Sequence, residues 1–207
     1  KGYINLEIRN TIHFPFKNPI FDIYSRNAQS NKVTILAAPE DELLKYTEIF
    51  SDVSLNPKTV EIQPLGIYRY FLHKHGSDAS EKTYMFIEYN LNSVNISIFR
   101  GHQIEFLRHQ PLNVSKNSWK LDEETNGFVF DGDEIRYQGE IEDQLNEIER
   151  MMNFYRFSLH QGNQEVDELV VLGDSPHIDN IFNMIDERYQ LPVTLLYVTE
   201  QMNGEAL

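Results

Sequence analysis

The chain has 207 residues, 18 basic and 32 acidic, giving a formal net charge of −14, and 41% of it is apolar. That apolar share is enough for real cores in one domain or two. The acidic balance leaves no excess of Lys and Arg to displace counterions from phosphates or anionic lipid, and no local basic patch is visible, so nucleic acid is not an expected partner. There is no Cys, which excludes disulfides, zinc–thiolate sites and cysteine nucleophiles and is compatible with the cytosol. No apolar run approaches about 18 residues, so no membrane insertion is expected, and no signal peptide is visible. The chain opens on Lys1 rather than Met, as a fragment lacking upstream sequence would.

In chain order, Lys1–Thr11 reads as a short helix ending before Phe14-Pro15-Phe16, since the residue before proline avoids helical angles. Ile20–Tyr24 and Lys32–Ala37 read as strands joined by the polar turn Ser25–Asn31. Pro39 opens a helix to about Phe50, with Leu43, Tyr46, Thr47 and Phe50 on one side and Asp41 and Glu42 suited to its positive end. Thr59–Gln63 reads as another strand, so that 1–63 forms a small α+β subdomain. Pro64 starts a further helix, Leu65–Leu72, expected to bridge to a second domain, 64–207, through the polar loop His73–Lys82.

The second domain is organised around Tyr84–Leu112. Tyr84–Glu88, Ser93–Arg100 and Gln103–His109 read as three consecutive strands. In the middle one Val94, Ile96 and Ile98 share one face, and Asn95, Ser97 and Phe99 the other, the period of a half-buried strand. Asn90-Leu91-Asn92 and Gly101-His102 supply the turns. Asn113–Gly139 reads as a polar insertion, a solvated loop in which a hairpin around Phe128–Phe130 is a second reading; Trp119 is its candidate anchor. Asp131-Gly132-Asp133-Glu134 hints at calcium but lacks EF-hand spacing, so solvated loop is again the reading.

Glu140–Gln161 is the clearest helix: Ile141, Leu145, Ile148, Met152, Tyr155 and Leu159 make one apolar stripe, and Gly162 stops it. Leu169–Leu172 has the continuous apolar character of a strand covered on both faces. Gly173-Asp174-Ser175-Pro176 turns into the last helix, with Ser175 as N-cap and Pro176 at its first position; Ile178, Ile181, Phe182, Ile185 and Tyr189 line its buried side. Pro192–Tyr197 completes the sheet and Thr199–Leu207 reads as a loose tail. Three strands followed by helix, strand, helix and strand is the order of the ribonuclease H-like mixed five-stranded sheet, which is also one lobe of actin-like ATPases.

The histidines at 73, 75, 102, 109, 160 and 177 form no metal-ligand spacing with carboxylates, and Ser158 and Ser175 lack a GxSxG setting. Glu88 and Asp174 leave a remote two-metal nuclease reading, short of the carboxylates such a site needs.

With these pieces placed, four segments carry a family resemblance. Lys32–Phe50 (KVTILAAPEDELLKYTEIF), Val60–Tyr70 (VEIQPLGIYRY), Arg150–Arg156 (RMMNFYR) and Val166–Val193, with its Leu-Pro-Val, stand in the order of the PilM-type pilus-assembly proteins. The chain thus resembles these relatives of the cell-division protein FtsA within the actin-like ATPase superfamily. The resemblance implies that 1–63 corresponds mostly to the insert subdomain of the first lobe and 64–207 to the second lobe. It implies a cytoplasmic scaffold of a type IV pilus or competence pseudopilus, peripheral at the inner face of the membrane. Its partner would be the cytoplasmic tail of a membrane-anchored, PilN-like protein. Two readings stand for a strand such as Ile20–Tyr24: it accepts a partner peptide by edge pairing, or it is paired within its own sheet.

In complete relatives ATP sits between the lobes, so the resemblance implies Glu88 (magnesium, through water), Ser93 (phosphate), Gly173 and Asp174 as cofactor-binding residues if Mg-ATP binding is retained. Tyr89, Asn90 and Leu91 stand where relatives tend to have glycine and small residues. Asp174 puts a carboxylate at a helix N-terminus that would otherwise attract an anion, and the family's first phosphate-binding turn has no counterpart here. The expectation is a non-catalytic interaction protein without a cofactor, with an actin-like ATPase as the alternative.

Overall fold

The computed structural model describes residues 2–14, 16–26, 33–76, 82–123 and 127–197; the Thr199–Leu207 segment and parts of the Ser25–Asn31, His73–Lys82 and Asn113–Gly139 segments lie outside the described residues. The chain divides into two units, Lys1–Ile62 and Gln63–Leu207.

The first unit contains helix α1 (Gly2–Asn10), strands β1 (Pro19–Arg26) and β2 (Val33–Pro39), and helix α2 (Glu40–Asp52). β1 and β2 pair antiparallel from Pro19↔Pro39 to Arg26↔Val33, with an irregularity between Ile23 and Ser25. α2 starts directly after Pro39, and Glu40, Asp41 and Glu42 in its first turn complement the helix dipole. No described residue of this unit is buried. The expected strand at Thr59–Gln63 does not form: 53–62 is irregular and largely exposed, and Gln63 already belongs to the next helix. β-forming residues such as Thr59, Val60 and Ile62 make a strand only with a partner edge and a surface to pack on, and among the described residues they have neither.

The second unit begins with α3 (Gln63–His75), followed by β3 (Thr83–Tyr89), β4 (Ser93–Arg100), β5 (Gln103–Pro111), the hairpin β6 (Trp119–Asp122) and β7 (Gly127–Phe130), α4 (Glu134–Asn153), β8 (Glu168–Leu172), α5 (Ile178–Arg188) and β9 (Val193–Leu195). The five-stranded sheet has the order β5-β4-β3-β8-β9. β3–β4 and β4–β5 are antiparallel, β3–β8 and β8–β9 parallel. The β4–β5 turn puts Gly101 and His102 at φ of 53° and 63°, both left-handed, the geometry that matches the twist of a tight hairpin.

Side-chain alternation sends Met85, Ile87, Tyr89, Val94, Ile96 and Ile98 to one face, where they join α4 and α5 in the core. The opposite face is also covered, a correction to the half-buried reading of the middle strand. α3 buries Leu65, Tyr68 and Phe71; Tyr68 stacks on Phe99 (centroids 4.2 Å, planes 3° apart) and Phe71 meets Phe86 edge-on at 5.3 Å. α3 is therefore a packed layer of this unit rather than a bridge.

α4 starts six residues before the expected Glu140, at Glu134, because Asp133 caps it: its carboxylate accepts from the Arg136 N–H at 3.0 Å. The turn Phe154–Leu159 is π-helical. The wider spacing breaks the 3.6 period, so Tyr155 is buried while Leu159, expected in the stripe, is exposed. Met151 rather than Met152 is the more deeply buried of that pair.

Two predictions follow from this packing. Ile148→Ala, at a fully buried position, should cost about 2–5 kcal/mol in urea denaturation, whereas Ile135→Ala, fully in solvent, should stay within about 0.5 kcal/mol. Burial holds the phenols of Tyr89, Tyr137 and Tyr155 above the ordinary tyrosine range and pushes Tyr189 up to about 12. Each phenol holds its proton more tightly folded than unfolded, so its contribution is complete below about pH 10 and is lost as pH rises above that. Melting temperature should be flat to about pH 9, then fall, and Tyr189→Phe should blunt the fall.

Candidate functional site

Because β3 and β8 are parallel neighbours, the turns that follow them open at the same end of the sheet. This brings Glu88, Ser93, Gly173 and Asp174 to one end, with Glu88 level with Leu172 and Ser93 opening β4.

Glu88 is 6% exposed. Its carboxylate accepts from Gln63 Nε2 at 2.7 Å, Asn90 Nδ2 at 3.0 Å and Asn95 Nδ2 at 3.2 Å. Three amide donors thus satisfy a buried carboxylate without a cation. Since the Asn95 amide nitrogen is committed to Glu88, its Oδ1 is left to accept from His109 Nδ1 at 2.7 Å, which fixes the hydrogen of His109 on Nδ1.

The turn after β3 is closed by the Asn90 N–H donating to the Ser93 carbonyl at 2.9 Å. The next amide, Leu91 N–H, donates to Asp174 Oδ1 at 3.0 Å. The Ser175 N–H reaches the Tyr89 carbonyl at 3.3 Å. Between these contacts lies Gly173, at φ 141°, where a Cβ would come 2.0 Å from the Tyr89 carbonyl oxygen. Only glycine permits that approach.

Past Gly173 the expected cap is displaced. α5 begins at Ile178 with His177 at the cap position, and the Ser175 Oγ accepts instead from the His177 N–H at 3.3 Å. Ser175 is buried and lies 3.5 Å, hydroxyl to hydroxyl, from Tyr137. Around them is a cluster absent from the solvated-loop reading of 113–139, whereas the hairpin around Phe128–Phe130 and the anchoring role of Trp119 are both realised. The β6–β7 hairpin pairs Trp119 with Phe130; Phe130 stacks on Tyr137 (4.5 Å), Trp119 meets Tyr137 edge-on (5.7 Å), and His177 lies 5.3 Å from Tyr137. The available signal was the aromatic alternation Phe128-Val129-Phe130 after Gly127, with Trp119 upstream as its counterpart.

This donor set does not fit a triphosphate. The outward amide of the first turn is already held by an anion, the second turn closes against the Tyr89 backbone, and the Glu88 carboxylate is occupied by amides. Glu88 and Asp174 share the end of the sheet but not their partners, so the two-metal reading gains nothing. Among the described residues no group of three or more His, Asp or Glu side chains is placed to hold a metal ion. No helix among them is long and apolar enough to cross a membrane.

The sheet order and the layers on both faces define an actin-like ATPase fold, with the ribonuclease H-like arrangement in the second unit. A solved structure of the PilM–PilN type IV pilus biogenesis complex matches 94% of this chain with a TM-score of 0.68 at 13% identity; the chain spans 61% of that chain's length. A Bacteroides thetaiotaomicron protein described as having an actin-like ATPase fold and unknown function aligns over 93% of this chain and 59% of its own, with a TM-score of 0.48 at 15% identity. No family model and no curated protein matches the sequence.

Gly173→Ala should destabilise the unit by at least about 2–3 kcal/mol, since it demands both an unfavourable backbone angle and a displaced β3. Asp174→Ala should leave the fold intact and speed hydrogen exchange of the Leu91 amide about five- to tenfold, the loss of about one hydrogen bond. Heteronuclear NMR reads both.

Proposed function

We propose that this chain is a non-catalytic scaffold of a type IV pilus or competence pseudopilus assembly complex, working on the cytoplasmic side at the inner face of the membrane. Its partner is the N-terminal tail of a membrane-anchored, PilN-like protein. The observation that carries the non-catalytic half is the Asp174 carboxylate seated on the Leu91 amide. The pilus half is supported by the likeness of fold to a chain of the PilM–PilN complex.

β1 offers the tail a place to bind. It pairs with β2 along one edge, and among the described residues no strand pairs with the other. An extended peptide adds to such an edge through its main chain and takes specificity from pockets for alternate side chains. A groove of about 490 Å³ at the start of β1, lined by Ile8, Ile12, Phe14, Phe16 and Ile20, supplies such a pocket.

The second reading, an actin-like ATPase, is favoured by Glu88, Ser93, Gly173 and Asp174 gathering at one end of the sheet. The two readings separate in one pair of measurements. Fluorescence anisotropy with a PilN-like N-terminal peptide should show saturable micromolar binding; none at high micromolar concentration defeats the scaffold reading. Mg-ATP should leave the melting temperature unchanged, whereas a nucleotide in hundredfold excess over its dissociation constant would stabilise by about 2.7 kcal/mol.

A further inference from the structure

Each element of the first unit is below the size at which it stands alone. α1 and α2 have 9 and 13 residues, and helices shorter than about 12–15 residues are marginal in water without packing. β1 and β2 form a two-stranded sheet, and a lone strand pair is marginally stable at best. A core would normally offset this, yet no described residue of the unit is buried. A unit of about 60 residues is marginal even with one. The other staples of small folds are missing too: the chain has no Cys, and among the described residues no cluster is placed to hold a metal ion.

A third strand changes this balance. Independent stability begins with sheets of three or more strands that carry an apolar face, and an extended peptide on the open edge of β1 is such a strand. It would also cover the groove lined by Ile8, Ile12, Phe14, Phe16 and Ile20, adding apolar burial that the unit lacks. We propose that the first unit is largely open in the free chain and closes on its partner, so that capture of the tail and folding of the unit are one event. The arrangement described above is its closed state. This coupling rests on the scaffold reading for its ligand and adds regulation to it. The closed fraction, and with it the affinity, is set partly at positions the tail never touches.

The test is a substitution out of the tail's reach. Thr34 lies on β2, which pairs with β1, so a peptide on the opposite edge of β1 makes no main-chain contact with it. Glycine in a strand weakens it, and Thr34→Gly should cut the closed fraction about fivefold. In a preformed unit that change leaves affinity unmoved; in a coupled one it passes in full into the dissociation constant. Anisotropy with the PilN-like N-terminal peptide should therefore show about fivefold weaker binding. Hydrogen exchange read by mass spectrometry is the second arm, on the unsubstituted chain. Without peptide, the amides of β1 and β2 should exchange within about tenfold of an unfolded chain, while those of β3 and β8 are protected at least about a thousandfold. Peptide in hundredfold excess over its dissociation constant should slow β1 and β2 about a hundredfold. Trp119, the one tryptophan, lies in the second unit, and its fluorescence melting should not move in Thr34→Gly.

Unchanged affinity in Thr34→Gly overturns the coupling, and so do β1 and β2 amides protected in the free chain as well as those of β3. A lowered Trp119 melting temperature in Thr34→Gly also overturns it, since the first unit would then not open on its own. Each of these results leaves the scaffold reading standing, because the peptide still binds. A peptide that binds neither protein defeats that reading, and the coupling with it.

Discussion

The second unit depends on the parallel pairing of β3 with β8. A parallel pair cannot be made by a hairpin; it requires a long crossover, supplied here by everything from β4 to the end of α4. Once Tyr84–Glu88 lies against Glu168–Leu172, the turns at 90–92 and 173–177 have no choice but to meet. Their meeting is close enough that one position, Gly173, is fixed by backbone sterics alone. The placing of Glu88, Ser93, Gly173 and Asp174 at one end of the sheet is set by that contact, and so is the seating of Asp174 on the Leu91 amide. The hairpin and His177 pack rings around Tyr137 beside the buried Ser175.

The two units stand at opposite ends of a scale of burial. In the second, β3 is buried along its whole length and α4 closes a continuous core. In the first no described side chain is buried, and apolar residues such as Tyr46, Ile49 and Val60 are largely in water. Apolar burial of about 25 cal/mol per Å² is what offsets the entropy of ordering a chain, so a unit that buries so little of its own surface gains most from being covered by something else. Of the four residues that the sequence places on one side of α2, Leu43 and Thr47 are half-buried while Tyr46 and Phe50 are exposed.

Much of this was legible beforehand, and the failures have particular causes. The period of two in Val94, Ile96 and Ile98 and the stripe from Ile141 to Tyr155 predict strand and helix correctly because burial and periodicity agree there. Leu169–Leu172 is read as covered on both faces and is. The misses occur where a local signal competes with context. Asp133 caps a helix that the apolar pattern alone starts at Glu140; a π-helical turn rotates Leu159 off the stripe; Thr59–Gln63 has strand-forming residues and no partner. The four site residues were placed from a resemblance, and their convergence follows from topology. Their occupation does not: no pattern in a sequence announces that a carboxylate 83 positions away will take the Leu91 amide.

That occupation bears on how readily such a turn could be recovered for a phosphate. Asp174 is tethered to its site through β8, so it competes with a dissolved anion at an effective concentration in the millimolar range or above. A phosphate would have to displace it and then sit beside it, two anions at one amide, in a protein whose net charge is −14. Removing the carboxylate frees the Leu91 amide but not the second turn, where Gly173 lies against Tyr89 and Ser175 is tied to the same carbonyl. Nor does it free Glu88, which its three amide partners hold. A single substitution therefore opens one donor among the several that a triphosphate requires. The five-stranded frame is kept here by strand pairing, which needs no ligand, while the Leu91 amide, the Glu88 carboxylate and the turn at Gly173 each have a partner inside the chain.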